Sequence, residues 1–280
     1  MTLLGAAQIR ELAATLDLKP SKSLGQNFVI DSNVCTKIVR TAGVTTSDIA
    51  LEIGPGLGSL TLALLEIAQS VIAVEIDPRL AEQLPITVEG LFQNPEKLTV
   101  INKDALLIQS LPADPTVLVA NLPYNVSVPV LLHLLEKFQS LKTGVVMVQA
   151  EVADRLAAKP GTKDYGIPSV KAAWWAEVKG AGSVSRSVFW PAPNVDSKLV
   201  SFTRRATPGD EELRQKVFII IDAAFAQRRK MLRSALSGLY GSSSAAEAIL
   251  NQAGIDPTLR GEALEVGGFC AIAKVAPDIF

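Results

Sequence analysis

The chain has 280 residues, room for one full α/β domain and a small appendage. With 48% hydrophobic and 20% charged residues it belongs with globular proteins rather than disordered or fibrous ones, and its longest apolar runs, such as Val217 to Ile221, are too short to span a bilayer. A formal net charge of -1 excludes a uniformly basic nucleic-acid coat, so any nucleic-acid contact must come from local clusters.

Taken in chain order, the N-terminus meets charge at Arg10 and Glu11 before an apolar signal segment can form and has no basic leader. Secretion and membrane association are therefore not expected, and a cytoplasmic location is. Cys35, among Val34, Ile38 and Val39 in a helix-like run, reads as a small buried hydrophobe. It and Cys270 are the two cysteines, too few for a disulfide framework or a metal cage, so no metal is expected. Five short apolar, β-branched runs follow: IALEIG, VIAVEI, LTVIN, TVLVAN and GVVMVQ, near residues 49, 71, 98, 116 and 144. Such uninterrupted runs suit strands buried on both faces of a parallel sheet. Helical patterning separates most of them, over Ser59 to Ile67, Pro78 to Val88 and Val128 to Phe138. The alternation predicts an α/β fold with a doubly wound, mostly parallel sheet. His133, the single histidine, lies in the third helical run with no carboxylate or thiol at ligand spacing and reads as a helix residue at the core margin.

Two further strands are predicted, AAWWAEVKG and SKLVSF, after a polar loop at 159–169 and around the Pro-rich FWPAPNVDS. Past Arg205 the pattern becomes helical: apolar residues recur at helix-face spacing from Asp210 to Leu236, and AAEAILNQAG and EVGGFCAIAKV add two short helices. The division expected is a domain over 1–205 and a small all-α domain over 206–280.

Leu51-Glu52-Ile53-Gly54-Pro55-Gly56-Leu57-Gly58 runs from strand into helix with glycines at alternate positions. A dinucleotide fingerprint needs G-x-G-x-x-G, and this spacing departs from it. It resembles instead the first motif of class I S-adenosylmethionine methyltransferases. Glu75 ends the next strand, 21 residues after Gly54, where a carboxylate can accept both ribose hydroxyl hydrogens. Asp104, after the third strand, is placed to accept from the cofactor's adenine amine.

Asn121-Leu122-Pro123-Tyr124 closes the fourth strand and is the most specific signal in the chain. An aryl amine is a poor nucleophile because its lone pair is delocalised into the purine. The Asn121 side-chain oxygen and the backbone carbonyl adjacent to Pro123 can accept both N6 hydrogens, leaving the lone pair directed at a sulfonium methyl. Tyr124 offers an aromatic face to a base taken out of its stack.

This tetrapeptide, with Leu24-Gly25-Gln26-Asn27-Phe28, resembles the ribosomal RNA adenine N6,N6-dimethyltransferases. The resemblance extends over nearly the whole chain, through Gln149 to Leu156, Pro193 to Ser197 and Phe225 to Lys230. It implies S-adenosylmethionine held by Asn27, the Val29 backbone, Gly54, Gly56, Glu75, Asp104 and Asn121. It also implies a target adenine faced by Phe189, for which a buried strand-end phenylalanine is the equal alternative. Val29 stands where the family usually has leucine, and Asn194 where it commonly has a basic residue. The implied substrate is a pair of adjacent adenosines in a hairpin near the 3′ end of small-subunit (16S) rRNA, met by a monomer through Arg228, Arg229 and Lys230. As consecutive helix residues these three would spread over about 200°, so at least one is expected to be structural. Two rivals remain. One is a macrolide-resistance methylase of large-subunit rRNA, against which Leu122 speaks, since those enzymes more often carry isoleucine there. The other is a non-catalytic factor on this fold, in transcription or ribosome assembly, against which intact Asn121 and Glu75 speak.

Overall fold

The computed structural model describes residues 3–20 and 26–277, so Leu24 and Gly25 of the motif above lie outside it. Two compact units emerge, residues 1–153 with 179–204, and residues 154–178 with 205–280.

The strands are β1 (Phe28–Val29), β2 (Ile49–Ile53), β3 (Ser70–Glu75), β4 (Leu98–Asn102), β5 (Val117–Asn121), β6 (Thr143–Gln149), β7 (Ala176–Val184), β8 (Phe189–Trp190) and β9 (Ser197–Arg204), all in the first unit except the first three residues of β7. Seven of them form a sheet in the order β4-β3-β2-β5-β6-β9-β7, while β1 and β8 pair as a separate antiparallel ribbon. From β4 to β6 all neighbours are parallel, and β9 returns antiparallel to β6. Val71 to Val74 and Val117 to Ala120 are all buried, which is why these strands read as continuous apolar runs rather than alternating ones. Helices α1 (Ala6–Thr15), α2 (Ser32–Thr41), α3 (Ser59–Leu65), α4 (Pro78–Leu91) and α5 (Ser127–Lys137) accompany them. Asp31 and Asp77 cap α2 and α4 by accepting from Asn33 and Arg79 backbone N–H groups, and Pro78 opens α4 where its missing N–H costs nothing. Cys35 is fully buried, and that burial pushes its thiol up to about 12, an unreactive group. β2 connects to β3 on one side and neighbours β5 on the other, so the strand order reverses there and opens a crevice at the carboxyl ends.

Next along the chain, α6 (Ala150–Leu156) follows β6 and α7 (Ile167–Ala172) precedes β7. The second unit carries α8 (Glu211–Ala226), α9 (Leu232–Ala235), α10 (Ser237–Tyr240), α11 (Ser243–Gln252) and α12 (Val266–Val275). Segment 154–178, which the sequence division left in the first domain, clusters with this unit. Lys171 pairs with Asp222 at 2.7 Å, and the Tyr165 hydroxyl donates to the Leu264 carbonyl at 2.8 Å. The strand predicted over AAWWAEVKG begins only at Ala176. Trp174 and Trp175 both meet the Phe218 ring edge-on, whereas consecutive strand residues would point to opposite faces. The long helix predicted to Leu236 stops at Ala226 and resumes at Leu232.

Candidate active site

One cavity in the first unit lies at the carboxyl ends of β2, β3 and β5. Asn27, Val29, Gly54, Gly56, Glu75, Asp104, Asn121 and Pro123, all expected from sequence, line it together.

The glycine loop turns with φ of +68°, +58° and +97° at Gly54, Gly56 and Gly58. A Cβ at Gly56 would lie 2.8 Å from the Phe28 ring, and one at Gly58 would lie 2.8 Å from Leu84, so alternate glycines let the loop pack tightly against both neighbours. Glu75, 5% exposed, braces the loop: its two oxygens accept from Gly56 N–H at 3.1 Å and Asp77 N–H at 2.9 Å. Burial raises its pKa, against the pull of those N–H groups, and the Asp77 charge adds to the rise. A carboxylate has about four acceptor positions, so these bonds do not exhaust its capacity to accept from a ligand's hydroxyl. Asp104 accepts from Leu106 N–H at 2.9 Å with one oxygen, capping the turn after β4.

Asn121 ends β5. Its Nδ2 donates to the Asn27 carbonyl at 3.1 Å, while its Oδ1, shielded from solvent, has no hydrogen-bond partner among the described residues. A buried acceptor left empty costs free energy unless a ligand completes it. In the adjoining turn, Leu122 N–H donates to the Met147 carbonyl at 3.1 Å and the Pro123 carbonyl accepts from Val126 N–H at 3.2 Å. The carbonyl beside Pro123 that this turn does not use is that of Leu122. Glycines that admit a ligand close to the backbone and two carboxylates at strand ends fit a ligand that carries a nucleoside, and the empty amide oxygen leaves an acceptor for a further donor group.

Over residues 18–278 the sequence matches the ribosomal RNA adenine dimethylase family. The chain belongs to that family. Among curated relatives, the ribosomal RNA small subunit methyltransferase A of Streptomyces griseus is 59% identical over 99% of this chain and 96% of its own length. That of Leifsonia xyli is 58% identical over 98% of each chain. The fold is shared with a dimethyladenosine transferase from Plasmodium falciparum, at a TM-score of 0.73 and 24% identity over 88% of this chain and 95% of that one. It is also shared with the 23S rRNA methyltransferase ErmE, at 0.65 and 26% over 89% and 99%.

Three residues expected at this dimethylase site do not line the cavity. Leu122 is buried. Tyr124 is half-buried, with its hydroxyl hydrogen-bonded to Ser197 Oγ. Phe189, expected to face the adenine as one of two readings, is 3% exposed in the hydrophobic core, because its pairing with Val29 in the β1–β8 ribbon packs it inward. In the helical unit, α8 ends before Arg228, so Arg228, Arg229 and Lys230 occupy a turn rather than a helix face. Arg228 is the structural member: its Nε donates to Glu262 at 2.8 Å, and its guanidinium reaches the Thr162 and Lys163 carbonyls. Arg229 and Lys230 are exposed.

Sequence reasoning missed Glu52 and Ser59. Glu52 is 1% exposed, accepts from the Thr61 hydroxyl at 2.7 Å, and lines the cavity. Burial pushes its pKa up to about 8, with Thr61 opposing and the Glu75 charge assisting. The signal was present as an acid inside an otherwise apolar strand. Among the described residues, no cluster of His, Cys, Asp or Glu is placed to hold a metal, and no helix is long and apolar enough to cross a membrane.

Proposed function

We propose that this protein transfers methyl groups from S-adenosylmethionine to N6 of two adjacent adenosines near the 3′ end of small-subunit rRNA, twice on each. The empty Oδ1 of Asn121, a residue lining the glycine-walled crevice and followed in sequence by a Leu122 carbonyl that the turn leaves unused, carries the reading. In it, Gly54, Gly56, Asn27 and the Val29 backbone cradle the donor, Glu75 takes its ribose and Asp104 its adenine amine. The bound donor supplies a methyl group activated on a sulfonium.

The chain's own residues then act on the amine. Asn121 Oδ1 accepts one N6 hydrogen and the Leu122 carbonyl accepts the other, which draws the nitrogen out of conjugation and leaves its lone pair directed outward. Hydrogen-bond acceptors with no useful basicity suffice, because an amine that has gained a methyl group is cationic and sheds its proton readily. His133 fits this reading, since its Nε2 is engaged with the Ile108 carbonyl at 2.8 Å. Tyr124, anchored from its hydroxyl by Ser197, serves as the aromatic face for the extracted base. The names borne by the relatives at 58–59% identity favour the small subunit over the large one.

Incubating the protein with methyl-labelled donor and unmethylated ribosomal subunits tests the reading. Label is expected in N6,N6-dimethyladenosine of the small subunit, and label confined to the large subunit would replace the substrate assigned here. Arg229 and Lys230 are the proposed phosphate contacts. Reversing both charges should weaken subunit binding and lower its salt slope by about two, while unchanged affinity across salt would remove them from the interface.

A further inference from the structure

Residues 26–29 form a strap that runs along the cavity, held through the β1–β8 pairing of Phe28 and Val29 and by further side-chain and backbone contacts. Gln26 Nε2 donates to Asp77 Oδ2 at 3.1 Å; the Asn27 carbonyl accepts from Asn121 Nδ2 at 3.1 Å. The Phe28 ring packs where Gly56 lacks a Cβ and stacks on Trp190 at 6.3 Å, and the Val29 carbonyl accepts from the buried Ser59 hydroxyl at 2.7 Å. We propose that the strap is a positioning element for methyl transfer, in which the Asn27 carbonyl fixes the orientation of the Asn121 amide and Ser59 holds the strap in the register that allows it. The inference rests on the proposed function for its catalytic consequence, but not for the coupling itself.

An asparagine amide turns in a broad, two-fold torsional well, and its two ends are nearly the same size. Only the donor and acceptor roles distinguish the orientations. With Nδ2 toward Asn27, Oδ1 is the free acceptor, which is the state an N6 amine needs. Turned over, the amide would set Oδ1 against the Asn27 carbonyl, oxygen lone pairs facing each other, and would present Nδ2 hydrogens to the hydrogens of the incoming amine. Asn27 O is the partner that the Asn121 side chain has among the described residues, so the choice between a productive and an obstructive site falls to one main-chain carbonyl. That carbonyl is placed by its neighbours. Ser59 opens α3 directly after the glycine loop, so its bond to Val29 ties the strap to the helix that carries the loop. Ser59 is thus a positioning residue that acts through Asn121.

Hydrogen exchange on the protein alone reads the coupling. Asn121→Ala is expected to speed exchange of the backbone amides of residues 28–30 by about fivefold, the loss of one hydrogen bond's worth of protection, and Ser59→Ala by a similar factor. Single-turnover transfer to small subunits reads the consequence. At saturating S-adenosylmethionine, Ser59→Ala is expected to slow it about tenfold, beyond any loss of donor affinity read by calorimetry, and Ser59→Thr, which keeps the hydroxyl, to recover most of the rate. If Ser59→Ala does not fold, Gln26→Ala takes its place in both measurements with the same expectations. Unchanged exchange at 28–30 in Asn121→Ala, or a rate loss that only follows donor affinity, would overturn the proposal. Should the wild-type protein transfer nothing, the functional reading falls while the exchange result still decides the coupling.

Discussion

The two ends of the parallel sheet treat their polar groups in opposite ways. At the amino ends, Thr116 and Arg204 bond wholly within the chain. Thr116 Oγ1 donates to Asp48 at 2.7 Å and accepts from Ile49 N–H at 3.1 Å, while the Arg204 guanidinium donates to the carbonyls of Leu141, Leu135 and Phe138 at 2.6, 2.8 and 2.9 Å. At the carboxyl ends, polar groups are buried without full repayment: two acids with raised pKa values, three glycines at positive φ, and an amide oxygen with no donor. One end is finished by the chain itself. The other keeps an unpartnered acceptor, and in open α/β sheets that is the end where ligands bind.

Substitutions on either side of this contrast should separate activity from stability. The largest effect is expected at Asn121. Asn121→Ala should lower the single-turnover rate by about 10²–10³-fold, the range for losing one preorganised group that touches the reacting atoms, with folding stability unchanged within about 1 kcal/mol. Rapid-quench kinetics and denaturant titration check both halves; a large stability loss would make Asn121 an ordinary structural residue. Arg204→Met should do the reverse. Removing charge-assisted bonds to three carbonyls should cost about 2–4 kcal/mol of unfolding free energy while the folded fraction keeps its transfer rate, and a rate loss beyond the folded fraction would blur the division of labour.

Glu52 supplies a smaller effect, tied to pH. Its folded pKa is raised from 4.5 to about 8. The stability this acid contributes is therefore complete below the unfolded value and drains away as pH climbs through the folded one, at up to about 1.4 kcal/mol per pH unit. Glu52→Gln should flatten the melting temperature against pH between those limits, most visibly near neutrality. Parallel wild-type and variant curves would mean that the carboxyl is not held in its neutral form.

The parts of the molecule legible in sequence are those whose physics is local. Strands covered on both faces produce unbroken apolar runs, so β2, β3, β5 and β6 were recognisable from composition and spacing, and the glycine loop and Asn121-Leu122-Pro123-Tyr124 announced their strand ends. LTVIN, expected to be buried likewise, is the edge strand β4, and none of its residues is fully buried because one side of it has no neighbouring strand. What escaped depends on tertiary contacts. Trp174 and Trp175 look like a strand until Phe218 draws both rings to one side. Arg228 looks as free as Arg229 until Glu262 is found beside it. Phe189 carries a motif position, yet whether it faces a ligand or the core is decided by its pairing with Val29. The strap is the clearest case. Its bonds to Asp77 and Asn121 join positions 51 and 94 residues apart, and no periodicity in the chain encodes them.

The most direct test of the open carboxyl end is a structure of the protein with the demethylated cofactor product and an oligonucleotide carrying the target adenosine. The account predicts Asn121 Oδ1 and the Leu122 carbonyl oxygen each at about 2.7–3.2 Å from N6, with Asn121 Nδ2 still on the Asn27 carbonyl. An adenine seated elsewhere, or an Asn121 amide turned so that its nitrogen faces the base, would contradict it.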